Sequence, residues 1–324
     1  MELIITDKNY NELGYLNNYS LDLEVGKYGV ASNDFNLTIS TDYIVDKFGI
    51  DSLFYIEGTE YGGLVESIAV DTENKQITYI GKTFRGILEK EYIQPPENEA
   101  YYKLIGEANE CIQKLIGNKF NDLFVVDDVK LSGVNINYNI RDLNLLQALE
   151  KSLGTKNCKL SVAHHQDGHI HLYTDEIKDL SESIQYDNSY KIGMNVQTKS
   201  KAYNHILALG KGELTERLRV NLYLQKDGTW SDVECYKLLD KKSYKYEDTN
   251  TDDAEELKSN AIEKVEEENG TDTLDISFES DNADLFDIVG AKEQITGISF
   301  KEKITQKILK ITNDSVEISY KVGD

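Results

Sequence analysis

The sequence predicts an α+β, mainly β protein in which two small β-barrel domains flank an α/β domain. Three observations predict it. Apolar residues recur with a period of two up to Pro95-Pro96, helical stripes then alternate with short strands to about residue 178, and the period of two returns from about 179. The segments are therefore residues 1–96, 97–178 and 179–324, the last with an acidic helical insertion at about 251–269.

In the first segment, Leu21, Leu23 and Val25, then Phe35, Leu37 and Ile39, alternate with polar residues, and TDYIVDKF offers a helical turn before Gly49. The stretch from Leu53 to Pro96 is the most ordered. Val65, Ser67, Ala69 and Asp71 alternate with Glu66, Ile68 and Val70, DTENKQ has turn chemistry, and Gln76 to Gly81 alternates again, which makes a β-hairpin. Thr83 to Glu91 then places Phe84, Ile87 and Leu88 at helical spacing. Pro95 and Pro96, the two prolines of the chain, stop regular structure because proline has no amide donor.

In the second segment, Leu104, Ile105, Ala108, Ile112, Leu115 and Ile116 form an apolar stripe that ends at Gly117-Asn118. A second helix is expected from about Asp142 to Leu153, with Gly154 as its C-terminal cap, and Phe124–Val126 reads as a strand between them. CKLSVAH, an HQDG turn and HIHLYT read as a hairpin. In the third segment, HILALG at 205–210 and RLRVNLYL at 217–224 are the strongest strands. Ten acids against two lysines lie between Glu247 and Asn269, yet Ala254, Leu257, Ala261, Ile262 and Val265 keep helical spacing, so a solvated amphipathic helix is expected. TLDISFE, ITGISF, KITQKILKI and SVEISYKV complete the segment as strands.

The hairpin followed by GKTFRGILEKEYIQPP resembles the N-terminal part of tail-tip and baseplate hub proteins of bacteriophages and related contractile particles. The resemblance is to the siphophage tail protein family and to the hub domain of tail-associated lysins. It is carried by Gly81 closing a strand, a short helix with Arg85, the pair Tyr92 and Ile93, and the proline stop. It implies a structural role without catalysis, in a homotrimer that forms a pseudo-sixfold ring and joins a sixfold tail tube to a threefold tip. The partners it implies are a distal tail or tube-side baseplate protein, the tape measure protein and a central spike or fibre. The location it implies is a virion tail tip or a phage-tail-like particle such as a tailocin, a contractile injection system, assembled in the bacterial host cytoplasm. Long lytic regions follow the hub in tail-associated lysins, whereas this sequence runs to Asp324 directly after its last strand.

An internal repeat gives the ring separate support. LFYIEG at 53–58 recurs as LFDIVG at 285–290, and the closing phrases ITYIG at 77–81 and ISYKVG at 318–323 are also alike. The spacing from Gly58 to Gly81 is 23 residues and from Gly290 to Gly323 is 33, room for one more strand and turn. Two equivalent barrels in each of three copies would make six units around a threefold axis.

Charge and motifs narrow the function further. The net charge of -23 argues against stable nucleic-acid binding, which needs clustered Lys and Arg. It also suggests that the acidic helix lines a channel past which DNA slides without sticking. No segment reads as a signal peptide or a membrane span, so folding in a cytoplasm is expected. Cys111, Cys158 and Cys235 are widely spaced and read as reduced packing residues. Four of the five histidines, His164, His165, His169 and His171, fall within eight residues, where H-x-H on a strand can present two imidazoles to zinc; a polar hairpin tip is the expected alternative. GKGE at 210–213 lacks phosphate-loop spacing, and no H-E-x-x-H or G-x-S-x-G is present. The sequence therefore assigns no catalytic, cofactor-binding or metal residues and no cofactor. The alternatives from other classes are a cell-wall hydrolase working through the histidines, and a polysaccharide-binding module suggested by the 21 tyrosines.

Overall fold

The computed structural model describes residues 2–120, 122–126, 131–182, 185–187, 194–197, 203–226, 228–269, 273–276, 283–292, 299–312 and 315–323. The chain forms two compact units rather than three consecutive segments: Met1–Met194 with Ile276–Val322, and Asn195–Asp275 with Gly323–Asp324.

An eleven-stranded sheet spans the first unit. From one edge its order is Glu12–Leu16, Leu3–Thr6, Leu53–Tyr55, Gly62–Asp71, Gln76–Thr83, Asp34–Ser40, Tyr19–Gly26, Ser299–Ile311, Ile288–Lys292 and Gln185–Asp187, with Val316–Val322 also paired to Ser299–Ile311. The alternation read in the sequence is seen directly. Leu21, Leu23, Val25, Phe35, Leu37 and Ile39 are buried on one face, and Leu309 and Ile311 join them in the same core. That pairing is why the expected boundaries fail. Gln306 to Ile311 run antiparallel to Leu21 to Gly26, so the C-terminal hairpin completes the N-terminal sheet and does not build a second barrel of its own.

The repeat phrases do not fold alike either. Leu53–Tyr55 is a strand, whereas Leu285 and Phe286 lie in a turn with Phe286 at φ 68° and the strand begins at Ile288. ITGISF and KITQKILKI run on as a single strand from Ser299, and residues 295–298 lie outside the described residues.

The segment after Pro96 contributes helices to a second core of this unit. Helix α1 (Phe84–Leu88) precedes it, and α2 (Ala108–Ile116) and α3 (Leu145–Gly154) lie within it. Leu104 and Ile105 belong to the strand Tyr102–Glu107, paired with Asn135–Ile140, and not to α2. The helix cannot start earlier because the Glu107 carboxylate caps the amides of Asn109 and Glu110. Asn144 caps α3 in the same way, and Thr155, not Gly154, is its C-terminal cap. Cys158–His164 and Ile170–Glu176 form the expected hairpin, with Phe124–Val126 parallel to the second strand. Leu104, Ile112, Leu145, Leu149, Leu160 and Leu172 share a core with Leu53, Phe84 and Leu88, which binds residues 97–178 to the first segment.

In the second unit, four strands run in the order Trp230–Ser231, Arg219–Leu224, His205–Leu209 and Ser243–Glu247. Helix α4 (Ala254–Asn269) is the expected acidic helix, and Leu257, Ala261 and Val265 are fully buried with Ile206, Ala208 and Leu222. Among the described residues no helix is long and apolar enough to cross a membrane.

Truncating a buried leucine leaves a cavity whose cost is about 2–5 kcal/mol. Leu309→Ala should therefore weaken amide protection across Tyr19–Gly26, while Leu257→Ala should leave those amides unchanged and loosen His205–Leu209. Hydrogen exchange read strand by strand checks both.

Candidate functional site

Six charged side chains from five separate stretches meet in the first unit as an alternating line. Arg85 Nε donates to Glu60 Oε2 at 2.8 Å, and Glu60 Oε1 lies 3.4 Å from Lys307 Nζ. Lys307 Nζ donates to Asp284 Oδ1 at 2.9 Å, Asp284 Oδ2 lies 3.8 Å from Lys159 Nζ, and Lys159 Nζ donates to Asp287 Oδ1 at 2.7 Å. Three acids face three bases, so the line is neutral. Arg85, Glu60, Lys159 and Asp287 are buried, while Asp284 is half exposed.

Local structure sets each member. Thr83 caps α1 and starts it so that Arg85 faces inward, where Nη2 donates to Leu160 O at 2.9 Å and the guanidinium lies 6.0 Å from the Phe286 ring. Gly81 and Gly86 allow that placement. A Cβ on Gly81 would sit 2.0 Å from Leu64 O, at the bulge between Val65 and Ser67, and one on Gly86 would sit 2.2 Å from Asn33 O. Lys307 lies over the rings of Tyr61 and Tyr320, and Glu60 and Asp284 raise its pKa well above the usual lysine range against the opposite effect of burial. Burial raises the Asp284 pKa, but Lys307 and Lys159 overcome it and bring the carboxyl down to about 2.

The histidines are divided. His164 is buried and stacks on Tyr55 with ring centroids 3.5 Å apart, and among the described residues its Nδ1 has no hydrogen-bond partner. Burial lowers its pKa to about 4. His165 stacks on His171 at 4.1 Å, His171 Nε2 is 2.8 Å from Asp167 Oδ2, and His169 Nδ1 is 3.0 Å from Asp122 O. Among the described residues no three His, Cys, Asp or Glu side chains are placed to hold a metal ion. Cys111 and Cys158 are buried as expected, whereas Cys235 is exposed and its Sγ lies 3.0 Å from Leu224 O.

The hairpin also carries an exposed edge. Gly62–Asp71 pairs with Leu53–Tyr55 only over Gly62, Gly63 and Leu64, and every residue from Glu66 to Asp71 is exposed. Ile68 and Val70 on that strand, and the nearby Ile50, leave apolar surface open to solvent.

Two outcomes follow from the buried groups. Arg85→Met strands the Glu60 carboxylate with one partner and should cost about 3–5 kcal/mol in urea unfolding. His164 has a folded pKa below its unfolded 6.5, so its contribution is intact above 6.5 and is lost as pH falls towards about 4, by about 3 kcal/mol. Glu150 acts oppositely: burial raises its pKa to about 7, so its contribution is present below 4.5 and lost as pH rises through 7. His164→Phe should leave stability at pH 7 unchanged or higher and make it fall less between pH 6.5 and 4, as read from urea midpoints.

No family model matches the chain, and no curated protein matches it. Solved structures do. The chain is similar over 99% of its length, and 98% of the other's, to the 43 kDa tail protein of prophage MuSo2 from Shewanella oneidensis, with TM-score 0.59 and 10% identity. It is similar over 100% and 94% to the prophage tail protein gp18 from Listeria monocytogenes EGD-e, with TM-score 0.54 and 12% identity. The tail protein from Neisseria meningitidis MC58 is matched over 100% and 96%, with TM-score 0.54 and 10% identity. From end to end the chain has the fold of phage tail proteins.

Proposed function

We propose that this chain is the structural hub of a phage tail tip or phage-tail-like particle, a homotrimer that joins the sixfold tail tube to a threefold tip. The observation that carries the reading is the reciprocal, full-length likeness to three tail proteins. The three proteins come from different bacteria, and in each case the likeness spans both units, not one common module. The motif that suggested a hub also has a structural reason. Gly81, Arg85 and Gly86 are the residues that seat α1 and begin the buried line of charges.

In this reading the chain is not an enzyme, and its neighbours are the distal tail or tube-side baseplate protein, the tape measure protein and a central spike or fibre. Trimer formation and the step from sixfold to threefold rest on the resemblance of the hairpin, short helix and proline stop. The phrase at 285–290 adds nothing to them. The apolar edge from Glu66 to Asp71 supports an assembly role, since a strand edge left bare is suited to contact with another chain. The acidic face of α4 would keep a passing genome from sticking.

Light scattering after size exclusion, over a range of concentrations, tests the reading. A mass about three times the 36.8 kDa chain is expected. A monomer at every concentration overturns the homotrimer.

A further inference from the structure

We infer that Lys159 and Asp287 are the two halves of an intramolecular isopeptide bond. The pair is built for it in four respects.

First, nucleophile and electrophile are already in contact and sealed. Lys159 Nζ is 2.7 Å from Asp287 Oδ1, and the two side chains are 3% and 1% exposed, so bulk water does not compete for either. Second, the nitrogen is aimed at one acceptor. Of its three donors, the one hydrogen bond found among the described residues goes to Asp287 Oδ1, which keeps Nζ beside Cγ.

Third, a proton carrier is adjacent. Asp284 Oδ2 lies 3.8 Å from Lys159 Nζ, near enough to take a proton from it and hand it back. Fourth, the electrophile is held by backbone donors. Lys178 N donates to Asp287 Oδ1 at 3.0 Å and Asp284 N donates to Asp287 Oδ2 at 3.0 Å, where they would stabilise the oxyanion of a tetrahedral intermediate.

The reaction balances without any further reagent. Asp284 removes a proton from the ammonium, the Nζ lone pair attacks Asp287 Cγ, and the Nζ–Cγ bond forms. The Cγ–Oδ1 bond then breaks, and Oδ1 departs as water with two of the three ammonium protons, one of them returned by Asp284. Oδ2, held by the Asp284 amide, becomes the amide carbonyl. One positive and one negative charge disappear together. Arg85, Glu60, Lys307 and Asp284 remain as two bases and two acids, so the buried line stays neutral after the bond has formed.

The bond would close a covalent loop from residue 159 to 287 that contains Asn195–Asp275 of the second unit. Such a loop restricts the unfolded chain, which suits a protein that carries load.

The test is the intact mass of the full chain, held at neutral pH until the mass stops changing and then measured in denaturant. The expected value is one water below the mass the sequence requires, with a digest fragment joining the peptides of Lys159 and Asp287. Lys159→Met and Asp287→Ala should each restore the full mass. Because the wild-type chain is read unfolded, the result does not depend on whether a variant folds. A wild-type chain of full mass overturns the inference, as does a water loss that maps elsewhere or survives Lys159→Met.

Discussion

The line of alternating charges constrains the first unit more tightly than its apolar cores do. Apolar side chains of similar volume can replace one another with modest loss, but a buried ion tolerates neither absence nor displacement of its partner. Arg85 follows the Gly62–Thr83 hairpin, Lys159 lies on the strand Cys158–His164, Asp284 and Asp287 lie in one turn, and Lys307 is on the strand Ser299–Ile311. None can be neutralised by its own stretch of chain. The alternating order is therefore a condition on the tertiary fold, and its net contribution is to specificity before stability.

Close backbone approaches serve the same end. Asn33 stands in the left-handed region at φ 50°, where its Oδ1 accepts from Gly26 N and its Nδ2 reaches Glu89, while its carbonyl accepts from Thr83 N. One buried asparagine thus binds Tyr19–Gly26 to both ends of α1. Any side chain at Gly86 would push against this carbonyl. The short helix is too brief to be stable by itself, so its position is imposed by these contacts and by Arg85.

Local structure was largely legible in the sequence, and the joining of distant stretches was not. Period two marked Tyr19–Gly26, Asp34–Ser40 and Gln76–Thr83 correctly, because one face of each is buried, and it also found the partner strand Gly62–Asp71, although that strand is exposed from Glu66 onward. Helical spacing found α3 and α4, but it ran too far back at α2, since Leu104 and Ile105 of Tyr102–Glu107 happen to continue the stripe. Asn135–Ile140 had a readable signal in Ile136, Tyr138 and Ile140 that its asparagines obscured. That Ser299–Ile311 would pair with Tyr19–Gly26 could not be read, because a strand pattern states which face is apolar and not which neighbour it takes. The charged line was equally hidden: Glu60, Lys159 and Lys307 look like ordinary surface residues until the fold buries them. Of the histidines, spacing grouped four that the hairpin then separates, with His164 turned into the core.

The pairing of Gln306 to Ile311 with the strand that opens the main core has a bearing on synthesis. A ribosome delivers Tyr19–Gly26 long before its neighbour exists, and during that interval the nascent sheet ends in a bare strand with Leu21, Leu23 and Val25 lined along it. Contacts so distant in sequence form slowly because a long loop must close first. The unfinished chain is consequently the form most in need of chaperone cover, and copies growing side by side on one messenger are the neighbours with which its open strand can mispair.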